Sequence, residues 1–349
     1  MPASYGIGEA AFRIPDMGQS NNDLAASRPL VSILLVAYNQ ERFIADAVRG
    51  ALAQTWEPTE ILISDDASSD GTYAAIESAV RGYQGPHRVT IRRNEINEGI
   101  SAHLSRLAAM AQGELLFVAA GDDISVPERC ERVVRFWRER GGRDDLIATD
   151  LTDMDDAGAL HGRIAPDDLG TYRSLADWAA RRPFLVGAAH AWSRRLFERF
   201  GPMMAGAAAE DQIMTFRAIV SGGAVSLREP LVQYRRGGLS GKRTPASVGE
   251  MLARFQRGNR FALAEIEQLQ RDAETAGVGG AMRAALAAQQ ARERFIRAMF
   301  DAPTFLARLA LVAGRYDVKP ALRLRMLLLA GCPQVYAPVL RVKRMLRNR

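Results

Sequence analysis

Three pairs of neighbouring acids stand where they could do chemistry. They are Asp65–Asp66 in ISDDASSDGT (63–72), Asp122–Asp123 in AAGDDIS (119–125) and Glu210–Asp211 in AAAEDQIMTFRAI (207–219). The first two close apolar, strand-like runs. Carboxylates crowded at strand ends repel one another unless a cation or a polar ligand joins them, so two such edges imply a nucleotide and a metal, and therefore an enzyme. The second and third pairs also have a plainer reading. Gly121–Asp123 reads as a solvated turn before the helix expected near Pro127. Glu210–Asp211 reads as a pair of acids favoured at a helix N-terminus by about 0.3–1 kcal/mol through the macrodipole.

The elements that would position these acids alternate. Strand and helix patterns succeed one another at 31–38, 42–54, 60–65, 72–82, 88–93, 101–111, 114–119, 127–139 and 145–149. PLVSILLVAYNQE is continuously apolar from Val31 to Tyr38, as in a strand covered on both faces. YAAIESAV is helical, with Ser68, Ser69 and Asp70 placed to cap it. The alternation predicts an α/β fold with a mainly parallel sheet, whose ligands gather at the carboxyl ends of the strands. Asn39, Glu41, Asp65, Asp66, Asp122 and Asp123 all fall at such ends. The segment AYNQERF (37–43) has no glycine, so a dinucleotide-binding G-x-G-x-x-G is absent, and no segment fits G-x-x-x-x-G-K-[ST]. A nucleotide here must be held by carboxylates rather than by a glycine-rich phosphate loop.

The succession PLVSILLVAYNQE, ILISDDASSDGT, NEGIS, AQGELLFVAAGDD, GAAHAWSRRLFERFG and AAAEDQIMTFRAI resembles the inverting glycosyltransferases of family 2, over about residues 28–240 and in the family's order. The resemblance implies a GT-A type, Rossmann-like sheet flanked by helices. It further implies transfer of a sugar from a nucleotide-diphosphate donor, a UDP-sugar, to a glycan or polyprenyl-linked acceptor, as in bacterial surface polysaccharide synthesis. By the same resemblance Asp66 accepts a hydrogen bond from the nucleobase, with Ala37, Tyr38, Asn39, Glu41 and Asp65 around the base and ribose. Asp122 touches ribose or metal, Asp123 binds a divalent cation, Mg²⁺ or Mn²⁺, and Asp211 is the general base with Glu210 beside it. Two departures stand out. Ala120 occupies the place of the first acid of the family's D-x-D type motif. In VQYRRGGLSGKR (232–243), Gly237 replaces a histidine that helps bind the diphosphate or metal, which leaves Arg235, Arg236, Lys242 and Arg243 either to neutralise the diphosphate or to form a solvated basic loop. Ala120 and Gly237 also admit a non-catalytic nucleotide- or glycan-binding scaffold on the same fold.

His87, His103, His161 and His190 show no metal-ligand spacing; His190, in LVGAAHAW, is expected in the core or the acceptor pocket, and Trp192 either stacks on an acceptor sugar or packs. Cys130 and Cys332 lie far apart and suggest no disulfide framework, which favours a reducing, cytoplasmic compartment. Residues 1–28 are polar, with no apolar run of signal-peptide length, and are expected to be a disordered leader. The catalytic domain is placed at 29–244 and an alanine-rich helical extension at 245–303, broken near Gly277, Gly279 and Gly280.

The net charge of +6 is a property of the tail. Residues 304–349 carry ten Lys and Arg against one acid, whereas the other 303 residues carry 36 basic and 39 acidic groups. The tail's apolar runs fall short of the roughly 20 residues that cross a bilayer. It reads as amphipathic helices that lie on an anionic membrane surface at the inner face of the cell membrane, pack on the core, or join two copies of the chain as a homodimer. No nucleic-acid reader motif is present, and a nucleic-acid partner is not expected.

Overall fold

The structure is a computed structural model and describes residues 28–236, 245–314, 317–338 and 340. The expected leader, apart from Arg28, lies outside the described residues, as do Gly237, Lys242 and Arg243.

Every residue of β1 (Val31–Ala37, VSILLVA) is buried. Side chains alternate across a strand, so such a segment is stable only with layers on both faces. Helices α1 (Ile44–Leu52), α2 (Thr72–Val80), α3 (Ile100–Met110) and α4 (Arg129–Glu139) provide them. Ile33 and Leu35 pack with Ile44, Val48, Ile76 and Val134 from α1, α2 and α4. Leu34 and Val36 face the other way, against Leu104 and Leu107 of α3.

The sheet continues through β2 (Thr59–Asp65), β3 (Arg88–Arg93), β4 (Leu115–Ala120), β5 (Ile124–Ser125), β6 (Leu146–Met154), β7 (Leu160–Ile164), β8 (His190–Ser193) and β9 (Ala224–Arg235). Among the described residues the order is β3-β2-β1-β4-β8-β6-β9-β5, with β7 on β6. β1 to β4 run parallel to their neighbours within that group, and β6 and β9 are parallel to each other. β8 is inserted antiparallel between β4 and β6. The carboxyl ends of β1, β2 and β4 therefore meet at one edge, where their loops carry Asn39, Asp66 and Asp122.

Two elements differ from the sequence reading. The strand expected to stop at Thr149 runs to Met154 because its acids are paired. Asp150 is buried, with Arg163 Nε 2.6 Å and Arg228 Nη1 3.1 Å from its carboxylate, and Asp153 pairs with Arg236. At α2 the cap residue is Gly71 and no side chain caps it; Asp70 instead accepts the Thr72 N–H at 3.1 Å.

The segment beyond 245 is not merely appended. Past α5 (Leu175–Ala180), α6 (Arg194–Phe200) and α7 (Glu210–Ile219) come α8 (Val248–Thr275) and α9 (Gly279–Asp301), parted at Gly277, which adopts φ +77°. Ile266, Leu269, Ala273, Met282 and Leu286 of α8 and α9 share a hydrophobic cluster with Leu34, Val36 and Phe216. Arg217 of α7 and Asp272 of α8, both fully buried, form a two-point pair at 2.8 and 3.0 Å. Gln268 Nε2 donates to the same carboxylate at 2.9 Å, and Arg217 Nη1 donates to Gly201 O at 2.9 Å. In the tail, α11 (Pro320–Gly331) packs against α9 through Met326, Leu329, Phe295 and Met299, and α10 (Phe305–Ala313) joins the same cluster through the partly buried Leu311 and Val312. No helix among the described residues is long and apolar enough to cross a membrane.

The Arg217–Asp272 pair generates a stability prediction. Asp272→Ala leaves a guanidinium buried without its counter-charge, and the expected loss is about 3–5 kcal/mol in urea denaturation. A loss under about 1 kcal/mol, the range of an exposed ion pair, would show that this seam does not depend on it.

Candidate active site

Two loops leave the ends of β1 and β2 in strained conformations and hold each other. Asn39 and Ala67 adopt φ +50° and +57°, a region that asparagine tolerates through local hydrogen bonding and alanine does not favour. The Asn39 N–H donates to Ser68 Oγ at 2.8 Å, and Asn39 Oδ1 accepts the Ser69 N–H at 2.9 Å. Glu41 Oε2 accepts the Gly71 N–H at 3.0 Å. Asp65 is fully buried; its carboxylate accepts from Ser68 N–H at 3.1 Å, from Ser68 Oγ and from Arg93 Nε at 3.1 Å. Asn39, Glu41 and Asp65, expected around a nucleotide, are thus engaged in building the loops.

Beside these loops a cavity of about 250 Å³ opens between the ends of β1, β2 and β4 and the start of α3. Ala37, Tyr38 and Asp66 line it, with Gln40, Asn97 and His103 in addition. Tyr38 is 36% exposed and presents its ring at the mouth. Asp66 is nearly buried, and its oxygens accept from Asn94 Nδ2 (2.7 Å), Glu98 N–H (2.9 Å) and Gly99 N–H (2.9 Å). A carboxylate has about four acceptor sites, so Asp66 first fixes the 94–99 loop as the pocket wall and keeps about one site for a ligand. His103 Nε2 lies 2.6 Å from Ser64 Oγ, and burial lowers its pKa. His103 was indistinguishable by spacing from the other histidines; its one signal was the helical period counted from NEGIS.

The second acidic pair follows β4. A Cβ on Gly121 would lie 2.5 Å from Gln40 Oε1 and 3.0 Å from the Ala37 Cβ, so only glycine lets β4 end this close to β1. Burial raises the pKa of Asp122 despite a hydrogen bond from Gln40. Asp123 is pushed up to about 8, by burial first and then by the charge of Asp122. Its Oδ1 accepts the Arg235 N–H at 2.8 Å. Two adjoining hard oxygen donors that favour a positive charge suit Mg²⁺ or Mn²⁺. Among the described residues no third acid, His or Cys joins them, so further ligands would come from phosphate oxygens and water.

The two arginines assigned to the diphosphate are otherwise engaged. Arg235 is buried over the Phe43 ring, its guanidinium donating to the carbonyls of Asp122 (3.1 Å) and Asp155 (3.0 Å). Arg236 is exposed and paired with Asp153. Sequence gave Arg129 no role, yet it is fully buried behind Asp123. Its Nη1 donates to Ser125 Oγ at 3.0 Å, and its Nη2 to Ala188 O and His190 O at 2.8 and 3.2 Å. This ties the Asp122–Asp123 edge to the turn at Gly187–Ala189. Among the described residues no carboxylate pairs with Arg129 directly, and burial lowers its pKa to about 10.

That turn supports the third pair. A Cβ on Gly187 would lie 2.8 Å from Glu210 Oε1 and 3.5 Å from the Asp211 Cβ. Glu210 and Asp211 open α7, where no side chain caps the helix, and Asp211 Oδ1 accepts the Gln212 N–H at 2.7 Å. Protein crowds Glu210 although part of its surface stays open, and its pKa is pushed up to about 8 by desolvation and then by Asp211. Asp211 is also raised, chiefly by desolvation, with Glu265 adding to the effect. Carboxylates held above their ordinary pKa suit proton transfer.

Trp192 is buried in the core and is not placed to stack on an acceptor sugar. His190 is fully buried with neither ring nitrogen hydrogen-bonded, and desolvation lowers its pKa to about 3, so it is neutral and belongs to the core rather than to an acceptor pocket. Cys130, also buried, has its thiol pushed up to about 12.

The sequence profile described as glycosyl transferase family 2 matches residues 32–198. EpsE of Bacillus subtilis, named as a glycosyltransferase, is 31% identical over 140 residues, 40% of this chain and 49% of EpsE. TuaG of the same organism, named for teichuronic acid biosynthesis, is 29% identical over 113 residues, 32% of this chain and 44% of TuaG. These matches span less than half the length of either relative. Among solved structures, S. aureus TarS in complex with UDP-GlcNAc superimposes with a TM-score of 0.51 at 16% identity, over 91% of this chain and 92% of that one. That likeness is one of fold, and it is the GT-A architecture of the sheet described above. Over residues 32–198 this chain is thus similar to glycosyl transferase family 2, on a sheet of GT-A type.

Proposed function

We propose that the protein is an inverting glycosyltransferase that moves a sugar from a nucleoside diphosphate donor to a hydroxyl of a glycan or polyprenyl-linked acceptor in surface polysaccharide synthesis. The observation that carries the reading is the pair of carboxylate couples, Asp122–Asp123 and Glu210–Asp211, joined through Arg129 and the 187–189 turn, with Asp122 hydrogen-bonded to Gln40 of the 250 Å³ pocket. A UDP-sugar is the donor class favoured by the fold shared with the UDP-GlcNAc complex of TarS, and the acceptor class follows the name of TuaG.

In this reading the base lies in the pocket under Tyr38 and against the remaining acceptor site of Asp66. Asp122 and Asp123 would hold a divalent cation, which as a Lewis acid neutralises charge on the diphosphate leaving group. Asp211 takes the proton from the acceptor hydroxyl as that oxygen attacks the anomeric carbon and the bond to the diphosphate breaks on the opposite face. Glu210, kept mostly protonated at neutral pH, leaves Asp211 as the carboxylate of the couple that is free to accept the proton. The tail would keep the enzyme at the membrane where a polyprenyl-linked acceptor resides.

Three outcomes test this. Asp211→Asn should retain UDP binding while turnover of a UDP-sugar, to acceptor or to water, falls by about 10²–10⁴ in single-turnover assays. Near-normal turnover would reduce the couple to a helix-start feature, since Asn also caps well. Asp123→Asn should abolish the Mn²⁺-dependent part of UDP binding in calorimetric titrations, and unchanged Mn²⁺ dependence would remove the cation from Asp123. The third outcome concerns pH. Glu210 has a folded-state pKa of about 8 against about 4.3 for an unperturbed glutamate. Its contribution to stability is therefore complete below about pH 4.3 and is lost as pH rises through about 8. Glu210→Gln lacks this loss, so the melting temperature of the variant relative to the parent should climb between about pH 5 and pH 9. A constant difference would show Glu210 titrating as an ordinary exposed acid.

A further inference from the structure

Helix α10, FLARLALVA, has eight apolar residues in nine, yet none of its residues is buried. Phe305 rests against Gly331 of α11, where a Cβ would come within 3.1 Å of its ring, but Leu306 is 75% and Leu309 45% exposed. On α11 the spacing of Leu324 (58%) and Leu328 (43%) puts both on one outward stripe, and Val335 follows just beyond. Lys319 and Arg325 are exposed among them. Single exposed leucines are ordinary, whereas a cluster on two contacting helices marks an interaction face.

We infer that the α10–α11 face is a docking surface for an anionic lipid bilayer, with Leu306, Leu309, Leu324 and Leu328 entering the headgroup boundary and the basic residues meeting lipid phosphates. Charge decides between the two occupants such a face allows. From residue 304 onward ten Lys and Arg face a single acid. A second copy of the chain would set that excess against itself, whereas an anionic leaflet complements it. Neither helix has the roughly 20 apolar residues needed to span a bilayer, which leaves adsorption in the interface plane. The inference rests on the proposed membrane-side acceptor for its purpose only, since its observations are independent of the catalytic residues.

The experiment uses the full chain with vesicles of phosphatidylcholine alone and of phosphatidylcholine mixed with phosphatidylglycerol, scored by co-sedimentation, with UDP binding and light scattering measured on the same samples. Binding should appear on the mixed vesicles only and weaken as salt rises. The surface substitutions Leu306→Asp with Leu324→Asp should reduce it about tenfold or more, and Lys319→Glu with Arg325→Glu should reduce it by a comparable factor. All variants should keep the parent's UDP affinity, so a failure of the catalytic reading shows in UDP binding and a failure of this one in sedimentation. The inference is overturned if the parent ignores mixed vesicles, if the double Asp variant binds them as the parent does, or if light scattering shows a dimer that the Asp substitutions dissolve.

Discussion

Holding like charges side by side out of water is the constraint around which the site is built. Asp122 with Asp123 and Glu210 with Asp211 each sit where burial disfavours ionisation, and the neighbouring charge adds to the effect on Asp123 and Glu210. An isolated domain gains nothing from such pairs; hydrophobic residues would be cheaper at each place. The rest of the molecule supplies the rigidity that keeps them there. β1, β2 and β4 are covered on both faces, Gly121 lets β4 end against β1, and Arg129 binds the loop after β4 to the turn under α7.

The couples are held by different halves of the structure. The Asp122–Asp123 edge belongs to the parallel strands, with Arg235 of β9 donating its N–H to Asp123 and its guanidinium to the carbonyls of the adjacent loops. The Glu210–Asp211 couple belongs to α7, whose position depends on α8 through Arg217 and Asp272 and on the cluster shared with Ile266 and Leu269. The long helices past 245 are therefore part of what aims the expected general base. Arginine serves repeatedly as internal scaffold, because its planar fork can satisfy several carbonyls at once.

Recurrent pairing also explains how a chain so rich in charge forms a continuous sheet. β6 carries Asp150 and Asp153 through its length, and each is buried only because an arginine from a neighbouring segment meets it. Among the described residues, Leu306, Leu309, Leu324 and Leu328 stand exposed on the terminal helices, at the opposite end of the sequence from the pocket lined by Tyr38 and Asp66.

Much of the fold was legible in the residues. A strand as apolar as VSILLVA has to be covered on both faces, and the alternation of strand-like and helical patterns located β1 to β4, α1 to α4 and the start of β6 to within a few residues, but neither β5 nor β7. The acids at strand ends were equally visible, because like charges at adjacent positions need a reason. Local pattern could not assign the partners, which come from segments far away in the chain. Asp65, Asn39 and Glu41 carry the types expected of ligand contacts, but only the folded structure commits them to holding loops. Arg235 became a buried brace, Trp192 a core side chain and β6 a longer strand by contacts with distant residues. His103 and Arg129 gained places beside the site in the same way. Periodicity reports which face of an element is apolar, whereas the partner of a polar group is decided by which distant segments the packed layers bring within about 3 Å.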